Sequence, residues 1–232
     1  ASDVYKRQVF DQLFLSGAYA GNTINVYGSD PGFSVASNGG THTAWEDVAL
    51  IREIPGAVIC DPADDVQMEW IIKEFLKMEG IHYVRSNRKA VRNVYKKGSS
   101  FKIGQGNILK EGKDILIIAA GQLVSEALDC AEELEKEGYS VEVIDMFTIK
   151  PLDEKLLIKE AKGKSKIVTI ENHSIYGGLG SAVSEVIAEN GISVPVKRIG
   201  VKEKFGQVGT AEFLQEEFGL TAKQIKETIC QF

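Results

Sequence analysis

The feature that most constrains this chain is a repeated pattern: apolar runs about one strand long, separated by stretches with helical spacing. Ala57-Val58-Ile59-Cys60, Ile81-His82-Tyr83-Val84, Ile115 to Ala120, Val141-Glu142-Val143-Ile144, Lys166 to Ile170 and Val194 to Ile199 are such runs. A strand that is apolar on both faces must be covered on both, and joining parallel strands takes a crossover that is usually a helix. The pattern predicts an α/β fold of two consecutive domains, each a mostly parallel sheet with helices on both faces. With 232 residues, 44% of them apolar and 26% charged, the chain can fill two such cores.

Residues 1–8, Ala-Ser-Asp-Val-Tyr-Lys-Arg-Gln, share no pattern with the rest of the chain and read like translated adapter sequence, so a non-native segment is expected there. Residues 9–95 form the first expected domain. Val9 to Ala20 predicts a helix burying Phe10, Leu13, Phe14 and Tyr19, and Ile24 to Tyr27 a strand. Asp61 is the expected N-cap, with Pro62 at the first helical position and Val66, Trp70 and Ile71 as the apolar stripe. Residues 96–112 read as a linker, with Phe101-Lys102-Ile103 and Asn107-Ile108-Leu109 expected to pair as a hairpin across Gly104-Gln105-Gly106. Residues 113–232 form the second domain, with helices expected from Val124 to Glu137, from Asp153 through Lys162, and from Thr221 with Ile225 and Ile229 inward.

A net charge of -6 with both signs interspersed argues against nucleic acid or an anionic membrane as the main partner. No apolar run is long enough to span a bilayer and no secretory leader pattern is visible, so the cytosol is the expected compartment. Cys60, Cys130 and Cys230 are odd in number and widely spaced, which favours reduced, mostly buried thiols over disulfides or a metal site. There is no nucleophile-elbow triad, no Gly-Lys-Ser/Thr phosphate loop and no zinc spacing.

The stretch from Gly39-Gly40-Thr41-His42-Thr43 to Ile54-Pro55 carries the chemistry. Two glycines permit a sharp turn, Thr43 and Glu46 have the spacing of a capping box, and Val48, Ile51 and Ile54 recur at helical spacing. On that reading His42 sits just ahead of a helix N-terminus, whose dipole lowers the pKa of an imidazole placed there. A lone histidine at a helix start is more often a capping or solvated residue. In parallel sheets ligands gather beyond the carboxyl ends of the strands, and the Asp30 to Asn38 loop, His42 and the Arg85 to Arg88 segment all belong to that edge. Arginines that merely solvate a strand end are the bland alternative. Gly177-Gly178-Leu179-Gly180 is weak evidence for phosphate, because the full dinucleotide fingerprint is missing; tight packing explains those glycines better.

These segments together resemble the transketolase family. Gly39 to Pro55, followed by Asp61-Pro62-Ala63-Asp64, is similar to its pyrimidine-binding domain; Ile144 to Asp153, Glu171-Asn172-His173 with Gly177 to Ser181, and Gly200 to Gly206 resemble its C-terminal domain in order and spacing. The resemblance implies part of a thiamine diphosphate enzyme of carbohydrate metabolism that transfers a two-carbon ketol unit between sugars. Matching residue by residue, His42 is the implied proton relay at the reacting carbons and Arg88 the implied grip on a sugar phosphate. Asn38 falls where many members have an aspartate that recognises a substrate hydroxyl, and Asp30 near a position that is often a phosphate-contacting histidine. An acidic Asp30 beside Arg88 weakens a phosphate grip, so a substrate range shifted from the usual sugar phosphates is expected. The family's catalytic glutamate, most of the aromatic residues that stack on the pyrimidine and the domain holding Mg2+ and the diphosphate are expected outside this sequence. That implies a companion N-terminal subunit, assembly as a dimer or heterotetramer, and an inactive isolated chain. A deoxyxylulose-phosphate synthase, a 2-oxo acid dehydrogenase β-subunit and a non-catalytic α/β partner module are the alternatives.

Overall fold

The computed structural model describes residues 8–87 and 89–232. Its strands are β1 (Ile24–Ser29), β2 (Val58–Cys60), β3 (Ile81–Ser86), β4 (Asn107–Lys110), β5 (Ile115–Ala119), β6 (Val141–Asp145), β7 (Thr148–Lys150), β8 (Lys166–Ser174) and β9 (Val196–Val201). They form two sheets, ordered β1-β3-β2-β7 and β4-β6-β5-β8-β9. All neighbours run parallel except β7 beside β2 and β4 beside β6. This is the α/β class that the apolar runs predict.

The two sheets share a core. Along β5 the side chains alternate, and each face meets a different set of partners. Ile115, Ile117 and Ala119 pack with Leu123, Val124 and Ala127 of the helix Leu123–Lys136 and with Ile225 and Ile229 of the helix Ala222–Gln231. Leu116 and Ile118 enter a second cluster that also holds Val48, Ile51, Ile54 and Ile59 from the first half of the chain. The two sheets are therefore joined by apolar burial as well as by chain.

Two exchanges cross the middle of the sequence. β7 leaves the second half to complete the first sheet, and β4, inside the stretch expected as a linker, closes the edge of the second. The expected hairpin of residues 101–103 with 107–109 does not form, because β4 pairs with β6 instead. Phe101 packs edge-on to Trp70 and Phe147, with ring centroids 5.7 and 5.8 Å away, a burial that an isolated two-stranded ribbon would forgo.

Helix starts also differ from expectation. The cap of the helix Asp65–Phe75 is Asp64, which accepts from Gln67 N at 2.9 Å, and not Asp61 with Pro62 in the first turn. Asp61 is drawn into a buried ion pair, and the next carboxylate takes over the cap. Phe10–Gln12 continues as a π-helical stretch, Leu13–Tyr19, whose wider turns bury Leu13 but leave Tyr19 exposed. Thr221 caps the last helix in a full capping box with Gln224, as its sequence predicts. Cys60 and Cys130 are buried free thiols, while Cys230 is exposed. Residues 1–7 of the suspected non-native segment lie outside the described residues.

The partner of Asp61 is Arg85, which is 1% exposed. Its Nη1 donates to Asp61 Oδ2 at 2.7 Å, its Nε to Asp47 Oδ2 at 3.0 Å, and its Nη2 to the Asn172 carbonyl at 2.9 Å. Tyr83 Oη also donates to Asp47, at 2.5 Å. Burial opposes the guanidinium's charge, but the two carboxylates outweigh it and hold the group protonated. Arg85 is thus neither a ligand-facing residue nor a solvated strand end. Arg85→Ala is expected to lower the unfolding free energy by about 3–5 kcal/mol, since two carboxylates stay buried without that cation. Urea denaturation followed by tryptophan fluorescence measures it, and a loss below about 1 kcal/mol would contradict this account.

Candidate functional site

The carboxyl ends of β1 and β3 lie side by side, with Gly28 opposite Arg85 and Ser29 opposite Ser86. Asp30 continues from β1 in the left-handed region (φ 53°), and its N–H donates to Ser86 O at 2.7 Å. Its side chain is buried. The chain then runs through the 3-10 segment Gly32–Asn38 to the turn at Gly39.

This loop is stapled from two directions. Asn172, at the end of the second sheet's longest strand, donates from Nδ2 to Pro31 O at 2.9 Å and accepts from Phe33 N at 3.2 Å. Ser34 Oγ donates to Asn87 Oδ1 at 2.9 Å and accepts from Gln122 Nε2 at 2.8 Å. Asn38 lies exposed at the end of the stapled segment.

Gly39 has φ 72°, a conformation that favours glycine, and its carbonyl gathers three donors. His42 N (3.0 Å), Thr43 N (3.1 Å) and Thr43 Oγ1 (3.0 Å) all point at it. His42 is half-buried, and its Nδ1 lies 2.9 Å from Thr41 Oγ1. The expected capping box of Thr43 with Glu46 is absent: the Thr43 hydroxyl is spent on Gly39, and Glu46 Oε2 accepts from Trp45 N at 2.7 Å. The helix proper is Asp47–Arg52, so His42 is placed by a closed turn five residues before it and not by the helix end.

Beside this turn opens a groove of about 370 Å³, lined by Gly40, Thr43 and Glu46 on one side and by Glu203, Lys204 and Phe205 on the other. Asp30, Asn38 and His42 therefore follow one another along a single loop at the carboxyl rim, with Asp30 buried at its root and the other two further out. Arg88 lies outside the described residues. What the sequence did not disclose is the turn at residues 203–206 as a wall of the groove. No local pattern marks it, because the contact joins segments about 160 residues apart.

The glycine turn before the helix Leu179–Glu189 is a packing device. Leu179 N and Gly180 N donate to Glu171 at 2.7 and 2.9 Å, so an internal carboxylate occupies the position a phosphate would take. A Cβ on Gly178 would fall on Glu171 and on His173 Nδ1. Burial pushes Glu171 up to about 7 against the pull of those two N–H groups. Burial also lowers His173 to about 4, with Asp47 working the other way; its Nδ1 is 2.7 Å from Ser174 O.

What the fold and the rim define is a two-sheet α/β protein with a loop-borne histidine at the strand ends. The family description "Transketolase, C-terminal domain" matches residues 104–225. The chain is 42% identical over 219 residues to the 6-deoxy-6-sulfo-D-fructose transketolase subunit SqwH of Clostridium sp. (strain MSTE9), covering 94% of this chain and 68% of that one. It is 33% identical over 229 residues to an apulose-4-phosphate transketolase subunit of Phocaeicola vulgatus, covering 98% and 73%. A solved structure described as "Split gene transketolase, inactive beta4 tetramer" superposes with a TM-score of 0.89 at 34% identity, covering 99% of this chain and 73% of that one. The chain belongs to the transketolase family and corresponds to its C-terminal section.

Below the rim, Asp145 at the end of β6 accepts from Tyr95 Oη at 2.6 Å and from Gln67 Nε2 at 2.7 Å. Burial pushes its carboxyl up to about 7, with Asp61 and Asp64 adding to the rise and the two hydrogen bonds opposing it. A carboxyl whose native pKa exceeds its unfolded value binds its proton more tightly when folded. Its contribution is whole below pH about 4 and is lost as pH climbs through about 7, at up to about 1.4 kcal/mol per pH unit. Asp145→Asn is therefore expected to flatten the fall of unfolding free energy between pH 5 and 8 relative to wild type. Denaturant titrations across that range check it; parallel curves would refute the assignment.

Proposed function

We propose that this chain is the C-terminal subunit of a split, thiamine diphosphate-dependent transketolase, moving a two-carbon ketol unit between sugars with a companion N-terminal subunit in a dimer or heterotetramer. The observation that carries this reading is the closed turn at Gly39–Thr43. With Nδ1 held against Thr41 Oγ1, Nε2 is the ring nitrogen left to hydrogen-bond a substrate oxygen and move its proton. Asn38 and Asp30 on the same loop are assigned to substrate hydroxyls and to the charge of its far end, and Arg88 to gripping an anionic group there.

The cofactor does not fit this chain's residues alone. Among the described residues no three His, Cys, Asp or Glu side chains gather as a metal-ligating cluster, and the helix start at Leu179 is filled by Glu171. Mg2+ and the diphosphate are therefore assigned to the companion. The related structure described as an inactive beta4 tetramer supports the view that such a subunit is silent without its companion.

The acidic root of the loop argues about substrate charge. Asp30 is bonded through its N–H to Ser86, two residues before Arg88. A carboxylate there penalises a phosphate dianion more than a sulfonate monoanion. The relative named for 6-deoxy-6-sulfo-D-fructose supports that direction.

The test is co-expression with the companion subunit, followed by ketol-transfer assays with thiamine diphosphate and Mg2+. His42→Ala is expected to reduce kcat/KM on the order of 10²-fold, and the isolated chain to turn over no ketose donor. A His42→Ala complex within threefold of wild type, or turnover by the chain alone, overturns the reading. In a donor panel the 6-sulfonated ketose is expected to exceed its 6-phosphate counterpart in kcat/KM by about tenfold. Equal efficiencies would remove the role given to Asp30.

A further inference from the structure

Besides its bonds to Asn172 and Gln122, the loop that bears His42 meets the second half of the chain at the segment after β9. After β9 the chain turns sharply, with Glu203 in the left-handed region (φ 44°), and passes the Gly39–Thr43 turn, where residues 203–206 form a wall of the groove. The approach is tightest where Gly40 meets Gly206 backbone to backbone. A Cβ on Gly40 would land on the carbonyl oxygen of Gly206, and a Cβ on Gly206 would lie 2.5 Å from Thr43 Cβ and nearer still to its hydroxyl. A Cβ on Gly39 would sit 2.7 Å from Val208 Cγ2. Gly39, Gly40 and Thr43 of the turn are thus met by two alternate positions of the other segment, Gly206 and Val208. Neither side has a spare atom.

Thr43 is the element through which this contact acts. It is buried, and its hydroxyl is one of the three donors on the Gly39 carbonyl that close the turn around His42. The next element is fixed as well: Trp45 O accepts from Ser174 N at 2.9 Å, and the Trp45 ring packs edge-on to Phe218 at 5.0 Å. The turn and the residues just after it thus rest on the second half of the chain. Thr43 and Gly206 both line the groove, so an atom added at Gly206 is met first by Thr43.

We propose that the segment Glu203–Val208, through Gly206, is the positioning element for His42: it sets where the imidazole stands by packing against Gly39, Gly40 and Thr43 of the turn that carries it. This rests on the role given to His42 under the proposed function, and it assigns the second half of the chain a part in the chemistry although none of its side chains there need touch substrate. The contact is narrow and made of glycine backbone, so one added methyl group tests it. A misplacement of about 1 Å in a group that moves a proton can cost about 10²-fold in rate.

The experiment uses the full chain and its complex with the companion subunit. The chain has three histidines, His42, His82 and His173, so ring 13C–1H correlation spectra give each its own signal. In Gly206→Ala the His42 ring signal is expected to shift while those of His82 and His173 stay, and kcat of the complex to fall at least about tenfold. Ile118→Val, a buried change in the second sheet remote from the turn, should leave both the His42 signal and kcat unchanged. Should Gly206→Ala not fold, Val208→Ala relaxes the same contact from an exposed side chain and should move the His42 signal by a smaller amount while those of His82 and His173 stay. An unmoved His42 signal in the folded variant, or an equal movement in Ile118→Val, overturns the proposal. If the complex loses no activity in His42→Ala, the transferase reading fails; the spectra still decide whether Gly206 positions the ring.

Discussion

The structure depends on one buried cation. Arg85 is removed from water and surrounded by groups from four places in the chain: Asp47 at a helix start, Asp61 just beyond β2, Tyr83 through Asp47, and the Asn172 carbonyl on β8. A guanidinium offers donors in a fixed planar fork, so its partners have little freedom in how they approach. Desolvation makes such a cluster costly, and a well-packed apolar substitute for the whole of it could be as stable. What the apolar substitute would lack is direction. Hydrocarbon burial between the sheets tolerates sliding, whereas a fork that meets two carboxylates of the first half and a carbonyl of the second permits one arrangement.

That arrangement fixes the rim. Asn172 gives its backbone carbonyl to Arg85 and its side chain to the Asp30–Asn38 loop, so the residue that ties the halves together also holds the loop. Its neighbours Glu171 and His173 are held out of solution chemistry, one raised and one lowered by burial, with Glu171 filling the helix N-terminus. The strand Lys166–Ser174 therefore ends in buried polar groups that are spent internally, Asn172 on the first half of the chain and Glu171 on the helix that follows. The surface that remains open beyond it is the groove beside the Gly39–Thr43 turn.

Much of the fold was legible because burial on both faces leaves a mark. β5 reads as a continuous apolar run, and the structure covers each of its faces with a separate cluster. The last helix was legible from Thr221 because its cap is local, made with a residue three positions on. Asp61 and Thr43 show where such reading fails. Both have the residue type and spacing of caps, and both are taken by another partner, Arg85 in one case and the Gly39 carbonyl in a closed turn in the other. The strand exchange between halves was equally hidden: Thr148–Lys150 has no feature that says it joins the sheet begun about 120 residues earlier.

The same distinction explains the site. A helix N-terminus would have acted on His42 through a field, falling off within a turn and screened by solvent. The turn acts through contact: three donors on one carbonyl, a hydroxyl on the ring nitrogen, and Gly206 of the second half pressed against Gly40 and Thr43. Contact of this kind specifies position more sharply than a field does, and position is what the proton relay proposed for His42 requires. It also makes the two halves of the chain interdependent. The loop that carries His42 begins at the first sheet and is held in place by the second half, so a change in either half reaches the imidazole through packed backbone.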